Sequence, residues 1–126
     1  MLAFESALAR SEADAGVIPS EAAIVIEAAC AGLKVPAQKL AEEGKVAGSL
    51  AIPLVRALTE QVRASNPKAA SFVHYGSTSQ DVLDTASIIC LQPCFAEADR
   101  GRAQRLAVTA AQAARQGEAG RPDGAG

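Results

Sequence analysis

Apolar and polar positions recur along most of this chain with the period of a helix. Over residues 2–15, Leu2, Ala3, Ala7 and Leu8 share one stripe, and Glu5, Arg10, Glu12 and Asp14 are expected to face water. Gly16 is a fitting stop and Pro19 marks the connection. Ser20 is placed to cap a second helix, and Glu21 suits the positive end of its dipole. That helix is expected to run through Ile24, Val25, Ile26, Ala28 and Ala29 to about Ala31, ending before Gly32. Its apolar positions nearly encircle it, which predicts deep burial. A shorter, more polar helix over 36–44 opens on Pro36, a good first-turn residue. Gly44, Gly48 and Ser49 then read as a loop.

The amphipathic pattern is sharpest over 53–65, where Leu54, Val55, Leu58 and Val62 fall on one face and Ser65-Asn66-Pro67 ends the run. From about Gln80, Val82, Leu83, Ala86, Ile89 and Cys90 line another core face, which Pro93 is expected to interrupt. A proline inside a helix costs about 3 kcal/mol or forces a kink. Beyond it the pattern fades. Phe95, Leu106 and Val108 are the only large apolar residues of 95–126, among five arginines (Arg100, Arg102, Arg105, Arg115, Arg121). Residues 103–115 read as a weak Ala-rich helix and 117–126 as disordered. The chain is therefore expected to divide into a helical domain, 1–94, and a divergent or disordered tail, 95–126.

Composition narrows the class. Hydrophobic residues make up 49% and aromatics only 3%, because much of the apolar mass is alanine. That balance points to an all-α protein. A net charge of −2 gives no reason to expect nucleic acid or an anionic membrane as partner. Cys30, Cys90 and Cys94 have no framework spacing and read as reduced thiols, small buried apolar residues of a cytoplasmic protein. With one imidazole in the chain, a metal site lacks ligands. No basic n-region precedes an apolar block at Met1–Glu5, and no run approaches a membrane-spanning length.

Candidate chemistry gathers in one stretch, Ser71 to Ala86, which holds the only histidine, His74, and the only tyrosine, Tyr75. Thr78 as N-cap with Asp81 three residues on makes a capping box. Gly76, just ahead, permits an unusual backbone angle. A helix start offers unpaired N–H groups and a partial positive charge. With the Ser77, Thr78 and Ser79 hydroxyls and the Gln80 amide beside it, it suits a carboxylate or similar anion. Such clusters also occur simply as caps, and a lone histidine often serves only as a structural hydrogen-bonding group. The residues by themselves leave both readings open.

The run His74-Tyr75-Gly76-Ser77-Thr78-Ser79-Gln80-Asp81-Val82-Leu83-Asp84-Thr85 resembles the first signature region of the fumarase/aspartase superfamily. The branch it resembles holds adenylosuccinate lyases and carboxymuconate cycloisomerases, with a pattern of roughly H-[YWF]-G-x-T-S-x-D-[VI]-x-D-T. Phe4–Arg10, Gly16–Pro19 and Ala51–Leu58 resemble the cycloisomerases of that branch, and the likeness covers about residues 1–92. The resemblance implies a helical homotetramer with active sites shared among subunits. It implies acid–base chemistry beside a carboxylate, through a carbanion stabilised as an aci-carboxylate, on a small di- or tricarboxylate, with no cofactor. By position, Thr78 and Ser79 would belong to the carboxylate clamp with Ser77 and Gln80 beside them, and His74 would bind or polarise the substrate. Tyr75 would pack beside the site, and Asp81 and Asp84 would serve as capping and helix-face residues.

Family chains run several hundred residues and carry a second histidine region and a Gly-Ser-Ser loop with the catalytic serine. Neither is present in these 126 residues, and the Arg/Gly-rich tail stands where the family continues with a Leu-rich helix. The expectation is an N-terminal fragment, cut before the central long-helix bundle or frame-shifted past about residue 91, and inactive alone. Two other readings stand beside the cycloisomerase fragment. One is the same piece of an adenylosuccinate lyase. The other is a small non-catalytic helical protein that binds a partner helix through faces 53–65 and 82–90.

Overall fold

The computed structural model describes residues 1–119. They form five α-helices, α1 (Leu2–Asp14), α2 (Ser20–Gly32), α3 (Ala37–Ala47), α4 (Ala51–Ser65) and α5 (Ser79–Ala119), with a 3₁₀ turn at Ala69–Phe72 before α5. No strand occurs among the described residues. The all-α expectation holds; of the segment expected to be disordered, residues 117–119 lie within α5 instead, and 120–126 lie outside the described residues.

The chain divides into two compact units, Met1–Ile89 and one that begins at Cys90. In the first, α1 packs on α2, α2 on α4 and the 3₁₀ turn, and α3 on α4. The core brings together Ala9, Ile18, Ala22, Ala23, Ile26, Leu58, Val62, Ala69 and Ala70. Its alanines let helix backbones approach closely, so a core with few aromatics still excludes water. Arg10 adds a two-pronged ion pair to Glu27 across α1 and α2, at 2.9 and 2.6 Å. Its exposure makes it a minor contributor.

Several local expectations are corrected. The inward stripe of α1 is Leu2, Glu5, Ala9 and Ala13, not the Leu2–Ala3–Ala7–Leu8 set. Glu5 is 1% exposed, and Glu12 is half-buried rather than solvated. On α2 the buried side is made by Ala22, Ala23, Ile26, Ala29 and Cys30, and Ile24 is 67% exposed, so the helix is not encircled. Pro19, not Ser20, holds its N-cap position. Gly44 is a helical residue of α3 rather than part of a loop; an added Cβ would come within 2.6 Å of Leu50 Cδ2. α3 ends instead at left-handed Gly48. α4 starts two residues ahead of Pro53, where the Ser49 hydroxyl accepts the Ala51 N–H at 3.2 Å. A proline in the first turn sacrifices no intrahelical bond.

α5 is helical through Pro93 instead of stopping there. Proline removes a single N–H donor, and the Ala-rich sequence beyond favours helix strongly enough to resume it. Of its expected core face, Val82 is buried and Leu83 and Ala86 are half-buried, whereas Ile89 and Cys90 are exposed. Cys94 is exposed too, so among the three thiols only Cys30 fits the expectation of burial. No helix of the described residues is long and apolar enough to cross a membrane.

Candidate functional site

The site begins where α4 ends. Asn66 Oδ1 accepts the N–H groups of Lys68 and Ala69, each at 3.1 Å, and this Asx arrangement launches the 3₁₀ turn. Ala69 and Ala70 are buried in the core, so the turn is anchored. The chain leaves it extended at Val73, and two left-handed residues follow, His74 at φ +57° and Gly76 at φ +64°. For glycine this conformation carries no steric penalty; for histidine it is uncommon and is held by its surroundings.

What holds His74 is Glu5, 69 residues earlier: its Nδ1 lies 2.8 Å from Glu5 Oε1. The two side chains are 16% and 1% exposed. Burial pushes the Glu5 carboxyl above its usual range, with the His74 interaction pulling the other way. Glu12, two turns further along the same face of α1, is also raised, by burial and then by the neighbouring Glu5 charge. From sequence both acids could be acid–base groups but fit better on a solvated helix face, and the structure buries Glu5 and half-buries Glu12 instead. The signal was present: Glu5 interrupts the stripe Leu2–Ala9–Ala13, and an acid on an apolar stripe calls for a partner.

After Gly76 the expected capping box is present. Asp81 N–H donates to Thr78 Oγ1 at 3.3 Å, and Asp81 Oδ2 accepts the Thr78 N–H at 2.8 Å and the Thr78 hydroxyl at 2.7 Å. The Ser77 hydroxyl reaches the same oxygen at 3.5 Å. These donors hold the Asp81 carboxyl below its usual range. The Gln80 amide donates to Asp84 Oδ1 at 2.6 Å. Thus Ser77, Thr78 and Gln80 are engaged within the helix start. The Ser79 hydroxyl has no hydrogen bond among the described residues. Tyr75 is 47% exposed, its ring 6.1 Å from that of Phe72. Replacing Thr78 with alanine is expected to destabilise the domain by about 1 kcal/mol, the usual worth of an N-cap. Urea unfolding checks it, and an unchanged midpoint would mean the box is not formed in solution.

Other features carry less chemistry. Cys30 is pushed up to about 11 by burial, then by Glu5 and Glu27, so it stays a neutral thiol. An apolar hollow of about 450 Å³ lined by Ala41, Gly44, Lys45, Leu50 and Leu83 shares no residue with the Glu5–His74 pair. Among the described residues no three potential ligands gather for a metal.

No protein-family model matches the chain. It is 49% identical over 105 residues to 3-carboxy-cis,cis-muconate cycloisomerase of Bradyrhizobium diazoefficiens, covering 82% of this chain and 23% of the relative. It is 44% identical over 115 residues to the enzyme of the same name from Pseudomonas aeruginosa, covering 91% of this chain and 25% of the relative. A match of 115 residues in a chain of 126 necessarily extends past Pro93, so the similarity is not confined to the first 92 residues. Among solved structures, beta-carboxy-cis,cis-muconate cycloisomerase of Acinetobacter calcoaceticus superposes with a TM-score of 0.71 at 42% identity, covering 75% of this chain and 22% of that one. The chain thus spans about a quarter of the length of the curated relatives it matches.

Proposed function

Because the chain belongs to the fumarase/aspartase superfamily and spans about a quarter of the length of the cycloisomerases it matches, we propose that it forms the substrate-holding part of a 3-carboxy-cis,cis-muconate cycloisomerase. The reaction class is lactone formation by acid–base chemistry next to a carboxylate, in the β-ketoadipate breakdown of protocatechuate. The whole enzyme would be a cytoplasmic homotetramer acting on a tricarboxylate without a cofactor.

In this reading residues 1–94 carry the site, and 95–126 lie outside it. The N–H groups at the start of α5 and the Ser79 hydroxyl receive a substrate carboxylate. Thr78 and Ser77 keep the helix start in shape through Asp81, and Gln80 sits at its edge beside Asp84. His74 stands directly ahead of that helix start, poised beside the reacting centre. The observation that carries the reading is the run His74–Thr85, lying within a chain 49% identical over 105 residues to an enzyme of that name. Adenylosuccinate cleavage, the alternative, has no comparable support at that identity.

The test is a chimera. Residues 1–92 replace the matching segment of the Acinetobacter cycloisomerase, and loss of the conjugated muconate absorbance is followed. The expected kcat/KM is within about tenfold of the parent, a cost of about 1.4 kcal/mol. A chimera that assembles and is inert sinks the proposal. So does a segment that supports turnover only when grafted into an adenylosuccinate lyase. Failure of the segment to support either, with binding to a partner helix instead, would favour the non-catalytic interaction protein.

A further inference from the structure

Helix α1 turns two acids toward the His74 loop, and neither has a role in the reading above. Glu5 Oε1 meets His74 Nδ1 at 2.8 Å, while Glu5 Oε2 is buried with no partner. Glu12 also buries one oxygen without a partner, and its other oxygen lies 3.7 Å from where a Cβ on Gly76 would stand. Burying carboxylates beside alanines is costly unless a partner repays it. Here the partner is the single imidazole of the chain, on a left-handed backbone that few residues other than glycine adopt. His74 Nε2 has no partner among the described residues and is not among the buried unpaired atoms, so it is the nitrogen open to a ligand.

We infer that Glu5 is a positioning residue for His74: its carboxylate accepts the Nδ1–H, fixing the ring and its tautomer so that Nε2 is the atom that takes or gives a proton on the open side. A proton arriving at Nε2 makes an imidazolium whose charge Glu5 offsets, and when it leaves, the Nδ1–H bond to Glu5 remains. The opposite arrangement has Glu5 keep its own proton and donate it to Nδ1, which puts the imidazole hydrogen on Nε2. Burial raises the Glu5 carboxyl while His74 and the Met1 amino group lower it, so only the proton's location distinguishes the two. The substrate-facing role of Nε2 rests on the proposed function; the tautomer does not.

Because His74 is the only histidine, a ¹⁵N-labelled chain of 126 residues shows one pair of imidazole nitrogens. With the imidazole neutral, long-range ¹H–¹⁵N spectra are expected to show Nδ1 protonated and Nε2 bare. Glu5→Ala is expected to move the population to the Nε2–H form that an unpartnered histidine side chain favours. Glu5→Gln, whose carbonyl oxygen still accepts, is expected to retain Nδ1–H. A wild-type spectrum with Nε2 protonated overturns the inference, and so does a tautomer unmoved in a Glu5→Ala chain of intact helicity. If Glu5→Ala does not fold, the wild-type spectrum decides alone. In the chimera, Glu5→Ala is expected to lower kcat by at least about tenfold at nearly constant KM, with Glu5→Gln recovering most of it. A Glu5→Ala chimera with unchanged kcat overturns the positioning role. A chimera inert with the unaltered segment sinks the proposed function instead and leaves the tautomer result standing.

Discussion

Replacing His74 with asparagine in the chimeric cycloisomerase is expected to lower kcat by about 10²-fold or more, the usual scale for losing a positioned proton-transfer or polarising group. Asparagine is the informative substitution because the backbone at this position is left-handed, at φ +57°. Asparagine tolerates that region, whereas alanine there would add backbone strain to the loss of the imidazole. The side chain is also small enough to leave the 3₁₀ turn and the capping box undisturbed. The measurement is steady-state turnover beside circular dichroism and oligomer size, so that lost chemistry is separated from lost assembly. If the variant assembles and keeps kcat within a few-fold of the chimera, His74 is not part of the reacting site. Its pairing with Glu5 would then be a structural bond between α1 and the loop, the plainer of the two readings the sequence left open.

The elements of the first unit were legible because the period of their apolar residues survives in packing. Leu54, Leu58 and Val62 lie on the buried face of α4 as their spacing predicts. The cap was legible because Thr78 and Asp81 interact over three residues, a range at which sequence alone dictates geometry. The Glu5–His74 pair was not, since it joins residues 69 apart and depends on how α1 docks. By residue type Glu5 groups with Arg10, Glu12 and Asp14, although its register places it among Leu2, Ala9 and Ala13. Pro93 misled for the converse reason. It is a local breaker, but the alanines on its far side have a helix preference that outlasts one missing hydrogen bond. Asp81 accepts the Ser77 and Thr78 hydroxyls, a local pairing that a count of hydroxyls does not reveal. That leaves Ser79 as the side chain of the cluster with capacity to spare.

Leu58→Ala is expected to destabilise the 126-residue chain by about 2–5 kcal/mol, which is a large share of what a small domain has. Leu58 is fully buried in α4, in one cluster with Ile26, Val62 and the Ala69–Ala70 pair of the 3₁₀ turn. Truncating it removes methyl groups from a place with no room to collapse, because its neighbours are mostly short side chains on rigid helices and cannot reach in to fill the gap. The effect should also be felt at the site. The turn that launches His74 rests on α4, so amide exchange at Ala69–His74 should quicken more than exchange in α3. Ile24→Ala, which removes as much apolar volume from a residue that is 67% exposed, is the control and should stay within about 0.5 kcal/mol. Urea unfolding with an unchanged slope reads both. Equal losses for the two variants, or a Leu58→Ala loss below about 1 kcal/mol, would mean that α2 and α4 do not pack face to face in solution. The loop would then lack the support that holds His74 in its left-handed conformation, and the site would have to be completed by other parts of a larger assembly.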